Sequence, residues 1–170
     1  MNYSAINSVS DIALKFVIEN QESSGSVVVS ACIYAALKHL GICSEIVHGV
    51  VTCNDVSFFH SWIEIENKIV DVAIFGTLNY KGISHLEAPV IMKCRDEALA
   101  LGLTYFEKEE VPLEVWENNP VNKMLGASVL KFLDQIEDRK AWVLVCKMLN
   151  ESPTETLVNK IRGELLYDSM

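Results

Sequence analysis

Three observations predict an α+β fold: apolar residues at helical spacing before residue 41, three short Val/Ile/Phe-rich segments broken by turn residues, and a mostly helical remainder. Residues 11–19 carry Ile12, Leu14, Phe16, Val17 and Ile18 behind the candidate caps Ser10 and Asp11, which predicts a short helix. Residues 20–26 form a polar loop. A second helix follows and stops at Leu40, because Gly41 can take the left-handed position beyond a helix C-terminus. Its start lies at Ser26 or Ser30, and the β-branched run Val27-Val28-Val29 favours Ser30.

Strands are predicted over residues 45–52, 57–66 and 68–74, separated by Asn54-Asp55 and Glu66-Asn67. Residues 76–89 read as loop. Helices are predicted over 95–101, 112–116, 121–136, 140–149 and 153–167, with Trp116, Met124, Leu125, Leu130, Phe132, Leu133 and Trp142 as core positions. Thr154 and Glu155, after Ser152-Pro153, mark the start of the last helix. The 170 residues are read as one domain, with 1–90 a catalytic-type core and 91–170 a mostly helical extension packed on it.

A two-residue turn at Glu66-Asn67 fixes the register of the second hairpin. One face then collects Phe59, Ile63, Ile65, Val70, Val72 and Ile74, all apolar. The other collects Phe58, His60, Trp62, Glu64, Ile69, Asp71 and Ala73. His60 and Asp71 are diagonal neighbours there, about 7–8 Å apart at Cα, which their side chains can close to a hydrogen bond.

Composition narrows the partners. A formal charge of -9, from 14 basic and 23 acidic residues, with no local basic cluster, argues against nucleic acid. Half the residues are apolar and mean hydropathy is +0.22, which suggests a very full core or an apolar surface kept for a protein partner. No apolar stretch reaches the ~20 residues of a membrane span, and the N-terminus lacks the pattern of a secretory signal, so a cytoplasmic protein is expected. The five cysteines include no C-x-x-C and no zinc-finger spacing, so reduced thiols, no metal and no cofactor are expected.

Cys32, His60 and Asp71 supply the types of a cysteine nucleophile, its base and the group that orients the base. With Ser30 as N-cap, Cys32 falls in the first helical turn, where the dipole and unpaired N–H groups favour a thiolate. Each residue alone has a plainer reading: a helical cysteine is more often packing, and a strand histidine more often structural. An aspartate in Ile-Val-Asp-Val-Ala needs a partner to be buried. Gln21 and Ser26 are candidate oxyanion donors, and Trp62 is a candidate substrate contact. His48 is a weaker alternative base, His39 suits a helix C-terminus, and His85 sits in a loop without companions.

The order Cys32, Gly41-Ile42, Gly49, His60-Ser61-Trp62, Asp71 resembles the transglutaminase-like superfamily, across roughly residues 25–75. That resemblance implies a papain-like fold, with a Cys-bearing helix packed on a small antiparallel sheet. It also implies a cysteine hydrolase acting on a peptide or protein amide through Cys32, His60 and Asp71. The His60-Ser61-Trp62 context and small size look similar to leader peptidases of lasso-peptide biosynthesis, and bacterial glutamine deamidases share the Cys-His-Asp order. The Arg-Gly-Gly approach of arylamine N-acetyltransferases is absent, Val28-Val29-Ser30-Ala31 standing in its place. Cys43 replaces the usual proline after Gly-Ile, and Val72 the frequent proline after the aspartate. A non-catalytic interaction module and an acyl or amine transferase are the alternatives on the same scaffold.

Overall fold

The computed structural model describes residues 2–20, 25–83, 88–112, 114, 128–136, 139–166 and 168. Helix α1 spans Tyr3–Asn20 and starts well before the predicted residue 11. Asn2 caps it, its Oδ1 accepting the Ala5 N–H at 3.2 Å, and Ile6, Val9, Ala13 and Val17 form its buried stripe. Helix α2 spans Ser26–His39, so the Val27-Val28-Val29 run is helical and the expected start at Ser30 is corrected to Ser26. Burial explains the difference. Val27 and Val29 are both buried, and packing them outweighs a β-branched helix penalty of a few tenths of a kcal/mol. The helix ends as expected: Gly41 (φ 71°) donates to the Lys38 carbonyl at 3.0 Å and Ile42 to Leu37 at 2.9 Å, a Schellman closure.

Three strands follow: β1 (Glu45–Cys53), β2 (Val56–Ile65) and β3 (Lys68–Asp71). Glu66 and Asn67 both have positive φ, and the pairs Ile63–Val70, Glu64–Ile69 and Ile65–Lys68 are those the two-residue turn requires. Beyond Asp71 the structure departs from expectation. The third strand stops there and the chain enters α3 (Ile74–Tyr80), where strand and loop were expected. Two further strands, β4 (Val90–Lys93) and β5 (Leu103–Glu107), flank α4 (Arg95–Ala100). They form the two edges of one antiparallel sheet of order β4-β3-β2-β1-β5, so the half expected to be a helical extension completes the sheet.

The C-terminal helices are α5 (Val129–Gln135), α6 (Lys140–Met148) and α7 (Glu155–Glu164). Ser128 caps α5 and Thr154 caps α7, each accepting a backbone N–H from three residues on. Phe132, Leu133 and Trp142 are buried as expected, and Leu130 is partly so. Residues 113, 115, 116 and 121–127 of the helices expected over 112–116 and 121–136, with Trp116, Met124 and Leu125, lie outside the described residues, as do Gln21 and His85. Among the described residues no helix is long and apolar enough to cross a membrane.

Two packed layers result. Ile63, Ile65, Val70 and Val72 on one sheet face pack with α1, α2, α5, α6 and α7. The opposite face carries Val51, Trp62, Ile69, Leu103 and Tyr105, closed over by Ile74 and Leu78 of α3 and Ala98 of α4. Tyr105 on β5 hydrogen-bonds Asp71 on β3, although their strands are three spacings apart, ~14 Å in a flat sheet. The sheet therefore curls, and this second face is its concave side.

Gly49 permits the β1–β5 pairing. A Cβ there would sit 1.9 Å from the Phe106 carbonyl oxygen and 2.8 Å from the Trp62 ring. Gly49→Ala is expected to cost about 2 kcal/mol in urea unfolding. The edge strand β5 can yield somewhat, which keeps the figure from being larger. Unchanged stability would mean that β5 does not press on β1.

Candidate functional site

The concave side holds a buried polar network centred on Asp71, which is 1 % exposed. Asp71 Oδ1 accepts from His60 Nε2 at 2.9 Å and from the Ile74 backbone N–H at 3.0 Å, and Oδ2 accepts from the Tyr105 hydroxyl at 2.9 Å. Three donors are what a carboxylate needs to be tolerated in an interior. The Ile74 bond explains why the strand ends at Asp71: the side chain captures the first turn of α3. A carboxylate only accepts, so His60 carries a proton on Nε2 and turns its Nδ1 into the interior. That Nδ1 is buried and has no hydrogen-bond partner among the described residues.

Phe58 meets the His60 ring edge-on, and Trp62 meets Tyr105 the same way. Trp62 is fully buried and donates its indole N–H to Glu64 at 3.1 Å, so the expected substrate contact is here a core residue. Burial, reinforced by the Asp71 charge and hydrogen bond, holds the Tyr105 phenol well above its usual range. Tyr105 was missed from the sequence, although Leu-Thr-Tyr-Phe-Glu after Gly102 carries a strand composition.

Cys32 lies elsewhere. It is the seventh residue of α2, beyond the turn on which the helix dipole acts. Its thiol is fully buried, donates to the Ala141 carbonyl on α6 at 3.7 Å, and is pushed up by burial to about 12. That is the reverse of the depression an activated thiolate needs. Ser30 fixes the helix rotation: its hydroxyl donates to the Ser61 carbonyl at 2.9 Å, setting that side of α2 on β2. Two residues further, roughly 200° around the helix, Cys32 faces α6. Along β2, Ile63 and Ile65 face α2, so His60 and Trp62 alternate to the far side. The structure thus brings His60 and Asp71 together and sets Cys32 behind both the helix and the sheet.

Ser26 is the first residue of α2 and is half-buried. Of the other thiols, Cys53 and Cys146 are buried, Cys94 is half-buried and Cys43 is exposed. Among the described residues no group of three or more His, Cys, Asp or Glu side chains converges as a metal site.

The side of the sheet facing α2 has its own polar cluster. His48 Nδ1 lies 2.7 Å from the Ser61 hydroxyl, and His48 Nε2 is buried without a hydrogen-bond partner among the described residues. Burial first, and the nearby Lys108 charge second, lower the imidazole to about 4. It is therefore neutral at physiological pH. His39 reaches Glu164 on α7 at 2.9 Å, tying the end of α2 to the last helix as a helix-terminal histidine can.

Comparison of the chain with protein-family models, with curated proteins and with solved structures gave no match.

Proposed function

We propose that this chain is a non-catalytic module that binds a protein partner, and that its Cys-His-Asp residues serve the fold. One observation carries the reading: the Cys32 thiol is spent on the Ala141 carbonyl, inside the apolar core and across the sheet from His60. A nucleophile and its base must come within hydrogen-bond reach for proton transfer, with the substrate between them and an oxyanion donor. Neither condition is favoured here, since His60 is 4 % exposed. The order of motifs from Cys32 to Asp71 supports a transglutaminase-like ancestry for the core, with the triad positions kept as packing and polar ties.

A second reading, the cysteine hydrolase, is favoured by one specific feature. The His60–Asp71 pair at 2.9 Å, with Nδ1 making no hydrogen bond among the described residues, has the arrangement of an oriented base. In that reading His60 takes the Cys32 proton as the thiol attacks a peptide or glutamine amide carbonyl, returns it to the departing amine or ammonia, and water then cleaves the Cys32 thioester to the acid and the free thiol.

Incubation with a peptide mixture separates the two. New N-termini and released ammonia are expected to stay at the level of a protein-free control, equally for the wild type, Cys32→Ala and His60→Ala. Turnover in the wild type that both folded variants lose would establish the hydrolase.

A further inference from the structure

We propose that the groove between α1, α2 and α6 takes a short acidic peptide segment of a partner protein, with an apolar centre. The inference rests on the partner-binding reading and gives that partner its chemistry. The groove is a cavity of ≈ 440 Å³, a size that buries a few side chains. Phe16 from α1, Val28 from α2, and Val143 and Leu144 from α6 make an apolar floor. Lys140 and Lys147 also line it, about two helical turns apart and both exposed, and among the described residues neither makes an ion pair with an acidic side chain.

The spacing is systematic. Residues 140, 143, 144 and 147 follow one stripe of α6, so the sequence writes cation, apolar, apolar, cation along a single face. That face meets the groove, and the remaining face of α6 (Trp142, Val145, Cys146) is core. In a chain of net charge -9 such a stripe is locally anomalous: among the described residues the lining holds two lysines against one carboxylate, Glu19. The first turn of α2 also opens here at Gly25, and its dipole adds to the same positive field.

Seven residues of helix separate the lysines by about 10.5 Å along the axis. A peptide in the polyproline II conformation covers about 9 Å in three residues and returns to the same side every third residue. Acids at positions i and i+3 therefore share the side that meets both lysines, and the apolar residues between them flank it against the groove's apolar lining. Apolar contact supplies affinity in such an arrangement, and the terminal charges supply register and selectivity.

The probe is fluorescein-labelled, end-capped Gly-Glu-Leu-Phe-Glu-Gly, titrated with the full chain by fluorescence anisotropy. Saturable binding is expected that weakens with salt, falls about 10-fold with Lys140→Glu/Lys147→Glu, and falls similarly when both glutamates of the peptide become glutamine. Both lysines are exposed, so the double variant should keep the circular dichroism of the wild type. No saturable binding, or binding indifferent to these charge changes, would overturn the proposal. So would sedimentation showing a dimer that the double variant abolishes, since a second copy would then own the groove. Mass spectrometry of the bound peptide keeps the two readings apart. A cleaved probe sinks the non-catalytic reading alone, whereas an intact probe that does not bind sinks the groove alone.

Discussion

Replacing Asp71 by alanine is expected to lower the unfolding free energy by about 4 kcal/mol, the largest loss among the substitutions considered for this fold. The carboxylate is buried and receives three hydrogen bonds, from His60, Tyr105 and the Ile74 backbone. Alanine would leave all three donors without an acceptor in the concave core, and the start of α3 would lose its tie to β3. Asp71→Asn keeps one acceptor oxygen and should cost about half as much. Tyr105→Phe removes one donor and should cost about 1–2 kcal/mol. Because Tyr105 and Asp71 share a bond, the double variant Asp71→Ala/Tyr105→Phe should be less damaging than the two single losses added. Urea unfolding monitored by Trp fluorescence reads all four. A cost below about 1 kcal/mol for Asp71→Ala would mean that the network is not a structural tie.

Acid is expected to destabilise the protein through His48, over a window set by its environment. Its imidazole lies at about 4 in the fold against an ordinary value of 6.5. Between those two values the unfolded chain binds a proton that the folded chain refuses, so stability rises with pH across the window. The contribution is complete above about 6.5 and disappears as pH falls towards 4. The shift corresponds to about 3 kcal/mol in total, lost progressively on acidification. Carboxylates also titrate at the lower end, so the informative quantity is the difference between wild type and His48→Gln. That variant should be less stable than wild type near neutrality, if its amide fits the Ser61 site poorly, yet should lose less stability between pH 7 and 4.5. Parallel pH profiles for the two proteins would remove His48 as the source.

Much of this architecture was legible in the residues. The turn at Glu66-Asn67 fixed one register, and the apolar alternation of Ile63, Ile65, Val70 and Val72 fixed which side of the hairpin meets the helices. The same alternation placed His60 beside Asp71, and the two are hydrogen-bonded. It also carried a consequence that local motif reading overlooked. A helix packs on the clean apolar face of a sheet, so a cysteine on that helix stands across the sheet from the polar face where His60 and Asp71 lie. Rotation about α2 takes Cys32 further away, and only the Ser30–Ser61 contact reveals that angle.

Two kinds of signal were misjudged. Local propensity put the start of α2 at Ser30, whereas the long-range burial of Val27 and Val29 carries it back to Ser26. Strand β5 was absorbed into a helical half because its pairing partner β1 lies some fifty residues earlier, and such pairing leaves no periodic trace nearby. Tyr105 went unseen for that reason, and with it the third side chain of the Asp71 network.

The most direct test is the alkylation rate of Cys32 by iodoacetamide at neutral pH, resolved by mass spectrometry against the exposed Cys43 as an internal reference. Cys43 should be modified promptly, while Cys32 should react only as fast as unfolding exposes it, faster with added urea and no slower in His60→Ala. Rapid, selective modification of Cys32 in the native protein, lost in a folded His60→Ala variant, would contradict the separation of thiol and imidazole.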